Sequence, residues 1–394
     1  MRVSVLLLLC MLGFFAIMSS TASKSPTLPL YAKHLGLNPF EIGLVAAAST
    51  ITGIFVNFSA GYLSDIYGRK KLLLVSGFVF MTAPFIYLFV LNAWEFTAVR
   101  VYHGVATAIF VPVATALVAD LYTSEKGKMM GIFSTARTLG RLIAPTLAGV
   151  LIYAYSFHFT FIVCGLLGTT AFALVILLPS GHETPKINTF RGNVPPENAK
   201  DPIDKYAIGM LLSVGLVEAS TYFAMQGVET FLPLYSNEFV ENPWLVGLIF
   251  TLQLSIIAAL KPLMGALSDR VGRLPVIALG VSTSALGMVV LSLSSSAATI
   301  ILSIVIFATG VSMSTAATAP LAAETLGKGS HGTAIGTLET IKDIGQALGP
   351  IIVGFIALTT SYGYAFLIAA LVEIIALAII LIMFRIMHNK IRQM

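Results

Sequence analysis

Long apolar runs separated by short polar turns make up nearly the whole chain. A bilayer-crossing helix needs about 20 mostly apolar residues. Runs of that kind lie near 4–33, 39–64, 71–91, 94–121, 127–155 and 158–179. A second set lies near 207–237, 243–268, 274–294, 297–325, 332–358 and 362–387. The short turns place successive helices antiparallel. The exception runs from Ser180 to Lys205, where Pro185, Pro195, Pro196, Asn193 and Asn198 sit among charges with no apolar period. This stretch, 180–205, is predicted as a linker between one six-helix bundle (1–179) and a second (206–394). Arg2, the leucine-rich run to Met18 and the small residues Ser19, Ser20, Thr21, Ala22 and Ser23 have the outline of a secretory signal peptide. The repeat described below makes that segment the counterpart of an internal helix, so it is predicted to be retained.

Composition agrees with the pattern. The chain has 394 residues, 57% hydrophobic and 10% charged, against about 25% charged in soluble domains. With a mean hydropathy of +0.91 it could not cover its own surface in water. A soluble enzyme is excluded. Nucleic acid is not an expected partner, because the net charge of +5 is not gathered into a basic domain. Cys10 and Cys164 lie within apolar runs and offer neither a disulfide framework nor metal-ligand spacing. The expectation is an all-α integral membrane protein without metal or cofactor.

Lysine and arginine accumulate on the cytoplasmic side of membrane proteins. Here they gather at Arg69, Lys70 and Lys71, at Lys126 and Lys128, and in the linker (Lys186, Arg191, Lys200, Lys205). Further groups are Arg270 and Arg273, Lys328, and Arg385, Lys390 and Arg392. The opposite turns hold little beyond Lys24 and Lys33. Both termini are therefore expected to be cytoplasmic. Trp94 and Trp244 begin the fourth and eighth spans on the outer side, where amphipathic rings suit the interface.

The chain also repeats itself. Leu28-Pro29-Leu30-Tyr31 returns as Leu232-Pro233-Leu234-Tyr235, and Gly61-Tyr62-Leu63-Ser64-Asp65 as Gly265-Ala266-Leu267-Ser268-Asp269, each 204 residues on. Gly68 and Arg69 match Gly272 and Arg273 at the same offset. Later, Gly131, Gly140, Pro145 and Gly149 meet Gly336, Gly345, Pro350 and Gly354 at an offset of 205. Two bundles in the same orientation, related by a pseudo-two-fold axis along the membrane normal, form the parallel repeat of a two-lobed transporter.

The segment Gly61 to Lys70, of pattern G-x-L-S-D-x-x-G-R-K, resembles the signature loop of the major facilitator superfamily. Ala98 to Gly104 is similar to the family's fourth-helix arginine motif, and Gly140 to Gly149 loosely resembles the fifth-helix motif of its drug:proton antiporters. Arg141 stands where that last motif keeps small residues. The resemblance covers essentially the whole chain. It implies the major facilitator fold with twelve transmembrane helices, alternating access, and a place for Arg100 in the cavity with an effect on proton coupling.

In the loop itself, Gly61 would let a neighbouring helix approach closely. Asp65 can cap a helix or pair with Arg69, Gly68 permits the tight turn, and Arg69, Lys70 and Lys71 would meet anionic headgroups. Together with the duplicated Asp269 and Arg273, and with Asp120 and Glu324 (also 204 apart), these residues are expected to form a cytoplasmic gate.

An ionisable residue at mid-membrane costs about 2.5–3.5 kcal/mol on insertion scales and normally faces a cavity or a partner. The first bundle carries Arg100, Arg137 and Arg141, the last two on one helical face. The deep carboxylates belong to the second bundle: Glu218 and Glu229 with Gln226 on the seventh span, Glu339 and Asp343 with Lys342 and Gln346 on the eleventh. Glu218 stands near mid-membrane with no cation within a turn of its own helix, which suits a group that binds and releases a proton, unless a fixed cation such as Arg137 satisfies it. Candidate proton-coupling residues are Glu218, Asp343, Glu229 and Arg100. Candidate substrate contacts are Arg137, Arg141, Gln226 and Glu218. Glu339 and Lys342 read as a structural pair, Glu373 as structural and His103 as a packed histidine.

Two readings follow. The first is a proton-driven exporter of small amphipathic compounds, drugs or metabolites. The second is a proton symporter or facilitator that imports an anionic metabolite held by Arg100, Arg137 and Arg141. No nucleophile–base pair, metal cluster or phosphate loop favours an enzyme or sensor. The expected setting is a bacterial or archaeal cytoplasmic membrane, with monomeric function.

Overall fold

A computed structural model describes residues 2–122, 125–179, 205–236, 242–325 and 331–393. Among them every regular element is helical. The predicted linker lies outside the described residues up to Lys205, as does Lys328. The first span is broken into α1 (Arg2–Lys24) and α2 (Thr27–His34). Pro26 lacks an N–H and crowds Ser25 out of helical geometry, and Thr27 Oγ1 donates to the Ala22 carbonyl across the break at 2.6 Å. The remaining helices of the first half are α3 (Pro39–Tyr67), α4 (Arg69–Ile86) with a short 3-10 turn at Tyr87–Phe89, α5 (Ala93–Leu121), α6 (Lys126–Ala154) and α7 (Phe157–Ile176). Those of the second half are α8 (Lys205–Ser236), α9 (Pro243–Val271), α10 (Arg273–Ser292), α11 (Ala297–Thr325), α12 (His331–Thr359) and α13 (Tyr362–Gln393).

Among the described residues these make twelve long helical passes, of which 11 are long and apolar enough to cross a membrane. The exception, α6, has 29 residues but carries Lys126, Lys128, Arg137 and Arg141. Local signals place several ends. Asn38 and Glu41 form a reciprocal capping box on α3, with bonds of 3.0 and 2.9 Å. The Asn92 side chain caps α5 through the Glu95 N–H at 3.0 Å.

The chain divides into two compact units. One comprises Met1–Asn188 with Val240–Thr251, the other Thr189–Phe239 with Leu252–Met394. In the first, α1 packs on α6 and α7, and α4 on α5 and α7; in the second, α8 packs on α12 and α13, and α10 on α11 and α13. The same pairs recur in the same order. The repeat extends to single bonds: Tyr31 Oη donates to the Val90 carbonyl at 3.4 Å and Tyr235 Oη to the Ser294 carbonyl at 2.7 Å, donor and acceptor both 204 residues apart. Gly68 and Gly272 join α3 to α4 and α9 to α10 with φ of 95° and 98°, a conformation that only glycine adopts without strain.

Lipid tails are as apolar as leucine, so helices in a membrane associate through close packing more than through hydrophobic drive. Gly140 of α6 lies against the Phe14 carbonyl of α1, and Gly345 of α12 against the Ala219 carbonyl of α8. In both units the motif glycine is where the two helices touch backbone to backbone. Phe80, Phe110 and Phe133 fill the first core; Val214, Val217, Ile277, Met313 and Ile380 fill the second. Phe55, Phe89, Trp94, Leu177 and Leu293 point outward, an apolar exterior matched to lipid.

Gly345→Val in detergent-purified protein should cost about 1–3 kcal/mol by overpacking, read as a lowered Tm. An unchanged Tm would mean that the helices can part without loss at this point.

Candidate functional site

The loop motif forms the same charged clasp in each unit. Arg69, at the start of α4, pairs with Asp65 of α3 at 2.6 Å and with Asp120 at the end of α5 at 3.2 Å, and donates to Ser64 Oγ. Arg273 of α10 pairs with Asp269 of α9 and with Glu324 at the end of α11 (3.1 Å), and donates to Ser268 Oγ at 2.7 Å. Each guanidinium thus ties three helix ends together, using the fork geometry that lysine lacks. Asp120 and Glu324, expected as gate or capping residues, make corresponding ion pairs in the two units.

Two features of the loop differ from the expectation. A Cβ at Gly61 would meet nothing within 4 Å, so the close helix approach expected at this glycine is not made among the described residues. Lys70 does not reach out to headgroups: its Nζ donates to the Ile176 carbonyl at 3.1 Å and to the Leu178 carbonyl. A cation there meets the orphan carbonyls and the negative end of the α7 dipole.

In the first unit, Arg100 of α5 is 3% exposed. Its Nη2 donates to Ser49 Oγ of α3, and among the described residues its Nε has no hydrogen-bond partner. The guanidinium lies beside the Tyr87 hydroxyl, which is 3.1 Å from Nδ1 of the packed His103. Arg137 stands 4.9 Å over the Phe133 ring, with its Nε likewise unpartnered among the described residues. Arg141, one turn on, is exposed. None of the three has an ion pair with a described carboxylate of this unit.

The second unit concentrates polar groups between α8 and its neighbours. Glu218 is 6% exposed. Its Oε2 accepts a hydrogen bond from Thr318 Oγ1 of α11, and Lys261 of α9 together with Lys342 and Glu339 of α12 act on it electrostatically. One turn on, Thr221 and Ser314 hydroxyls face each other at 3.5 Å. Lys342 pairs with Glu339, lies 3.6 Å from Asp343 and stands 5.3 Å from the Tyr222 ring centroid. Gln226 accepts from Gln346 Nε2 at 3.3 Å. Glu229 is half-buried further along α8. The structure therefore groups Glu218, Asp343 and Gln226 along the α8–α12 seam of the second unit, while Arg100 and Arg137 belong to the first.

Glu373 on α13 is fully buried against α10, accepting from Ser284 Oγ at 2.8 Å, with Oε2 unpartnered among the described residues. It belongs to the packing of those two helices, as expected. Thr318 is an addition that sequence reading missed, and Lys261, visible in the sequence as an intramembrane charge, was given no role. The clustering of Ser312, Ser314, Thr315 and Thr318 in a membrane helix was the available signal.

A family model of the Major Facilitator Superfamily matches residues 9–245 and 214–392. The chain belongs to that superfamily. An uncharacterised MFS-type transporter of Methanocaldococcus jannaschii is 29% identical over 355 residues, 87% of this chain and 89% of the relative. Multidrug resistance protein 2 of Bacillus subtilis is 24% identical, covering 91% of this chain and 90% of its own length. Quinolone resistance protein NorA of Staphylococcus aureus is 28% identical over 208 residues, 51% of this chain and 53% of NorA. Among solved structures, the nucleoside transporter NupG superposes with a TM-score of 0.82 at 14% identity, covering 96% of this chain and 99% of that one. This likeness shows the shared fold. The superfamily chain is a multi-pass membrane transporter of small molecules and not an enzyme.

Replacing Lys70 by Met should lower the Tm of the purified protein by several degrees, for the loss of about 1–3 kcal/mol of charge-assisted bonding. The neighbouring Lys71→Met should leave it unchanged. Equal effects would show that the α7 carbonyls do not need this cation.

Proposed function

We propose that the protein is a proton-coupled exporter of small amphipathic compounds, with Glu218 as the proton carrier. The observation that carries the reading is the surroundings of Glu218: a buried carboxylate in a membrane helix, bonded to a hydroxyl and under the influence of two lysines on other helices. A carboxylate so placed can exist with and without its proton, which a permanently ion-paired group cannot readily do. The relatives named for quinolone and multidrug resistance support the direction of transport. Asp343 and Glu229 extend the acidic path along the same seam, and Arg100 would answer the changing charge from the first unit.

In this reading the halves 1–179 and 206–394, joined by the linker 180–205, rock about a midplane site in alternating access. The clasps built on Asp65, Gly68, Arg69 and Asp120, and on Asp269, Arg273 and Glu324, keep each cytoplasmic helix triplet rigid while the halves move. Gly61 makes no close helix contact among the described residues. Each proton moved inward supplies about 2.3 kcal/mol per 100 mV of membrane potential, plus the pH term. The protein acts as a monomer in a bacterial or archaeal cytoplasmic membrane, both termini cytoplasmic.

One set of observations favours a second reading, uptake of an anionic metabolite. Arg100, Arg137 and Arg141 have no ion pair with a described carboxylate of their own unit, and a substrate carboxylate or phosphate could supply the missing anion.

Energised inside-out vesicles, acid inside, with a pH-reporting dye would test the choice. Cationic or neutral amphipathic compounds should release protons from the lumen of vesicles holding the wild-type protein. Glu218→Gln should abolish that release while expression is retained. Coupled release surviving in the variant would remove Glu218 as carrier. Silence to the whole panel, together with uptake of anionic compounds in intact cells, would favour the second reading. Asp65→Asn should slow turnover with little change in KM; a change in expression alone would argue against a role in gating.

A further inference from the structure

Most hydroxyls of α11 donate to a carbonyl three or four residues back in their own helix; Thr318 does not, and Ser312 Oγ has no partner among the described residues. Thr309, Thr315 and Thr325 each donate to the carbonyl four residues back in their own helix, at 2.8, 2.8 and 2.7 Å. This is the usual resting place for a threonine in an apolar helix. Thr318 instead gives its proton to Glu218 Oε2 on α8. Its alternative acceptor, the Ser314 carbonyl one turn back, remains at hand in the helix. The neighbouring contact of Thr221 with Ser314 keeps α8 and α11 in register at this level.

A hydroxyl has one proton and two lone pairs and can turn about its C–O bond. When Glu218 is charged, Thr318 Oγ1 donates to it. When a proton arrives on Oε2, the new carboxylic O–H can donate to Oγ1, and the Thr318 proton can turn to the Ser314 carbonyl, as in its neighbours. Glu218 Oε2 and Thr318 Oγ1 thus each keep a hydrogen-bond partner in both states. A lysine in the same place could do only the first half.

We infer that Thr318 is a positioning residue that works as a two-state hydrogen-bond switch, keeping Glu218 satisfied with and without its proton. The inference rests on the reading of Glu218 as proton carrier. The charged groups acting on Glu218 are Lys261 from α9 and Lys342 and Glu339 from α12; among the described residues α10 and α13 contribute none. The lysines put positive potential on the carboxylate and Glu339 opposes them. The hydroxyl is the one direct hydrogen bond to Glu218 from another helix among the described residues.

The test uses the full-length protein in inside-out vesicles and measures the pH profile of compound-driven proton release, with kcat and KM for the compound. In Thr318→Val the bond to the carboxylate is lost, and a hydrogen bond to a charged group is worth more than one to its neutral form. The midpoint of the profile should therefore move to higher pH by about one unit, a tenfold change in the proton equilibrium. The value of kcat should fall about tenfold with KM nearly unchanged. Thr318→Ser, which keeps the rotor, should restore both. Thr315→Val, the same change at a hydroxyl bonded within its own helix, should leave both as in the wild type. Thr318→Ala gives the same readout if the valine variant does not fold.

An unmoved profile and turnover in Thr318→Val or Thr318→Ala would overturn the switch, as would a serine variant that behaves like valine. Glu218→Gln, run alongside, separates the two claims. If it abolishes coupling while the Thr318 variants match the wild type, only the switch fails. If it leaves coupling intact, the carrier assignment fails and the switch with it.

Discussion

Inside a bilayer there is no water to receive a polar group, so each charge or hydroxyl carried across must be answered by another part of the protein. An α-helix satisfies its own backbone. It cannot satisfy an arginine or glutamate at mid-depth through its backbone, and unless a side chain one turn away answers it, as Lys342 answers Glu339, the partner must come from a different helix. The placement of polar residues here follows from that requirement. Ser76 of α4 donates to the Ala106 carbonyl of α5 at 2.8 Å, Ser49 of α3 receives Arg100 of α5, Gln346 of α12 reaches Gln226 of α8, and Thr318 of α11 reaches Glu218 of α8. The apolar residues supply the surface and the bulk. The few polar contacts join faces that packing has already brought together.

Duplication gives this arrangement its scaffold, and divergence gives it its chemistry. The loop glycines Gly68 and Gly272, the arginine clasps, the tyrosine-to-carbonyl bonds and the backbone-contact glycines Gly140 and Gly345 each occur twice, 204 or 205 residues apart. Most intramembrane charges do not, although Arg137 meets Lys342 at 205 residues. Glu218 corresponds to Phe14 in the first half, Thr318 to Ala114, and Arg100 to Ile304 in the second. A repeated frame therefore holds two different interiors, one cationic and one with carboxylates. Such asymmetry places the intramembrane carboxylates in one half and leaves the other with cationic groups alone at mid-depth.

The candidate site was legible to different degrees. Glu218 stood out because a lone carboxylate in an apolar run has no local explanation. The pairs Asp65–Arg69 and Asp269–Arg273 were legible because residues four apart across a tight turn must meet. Asp120 and Glu324 were visible through their common offset, although only folding brings α5 and α11 to the start of α4 and α10. Thr318 was not legible as a functional residue. Threonine is ordinary in a membrane helix, and the direction in which a hydroxyl points is set by a helix 100 residues away in sequence. Lys70 was misread for a related reason. A lysine beside a membrane normally meets headgroups, and only the position of the α7 carbonyls redirects it.

By itself the sequence determined the membrane class, the helical passes, the repeat and the family, because hydropathy period, turn residues and motif spacing are local properties that survive any arrangement of the helices. It also determined which residues were expensive to bury. The tertiary structure decided how each was answered: the clasps within each unit, the open space at Gly61, the capping of α7 by Lys70 and the hydroxyl on Glu218. These depend on which faces of distant helices meet, and that is set by the sum of many weak packing contacts spread along the chain rather than by any short stretch of it.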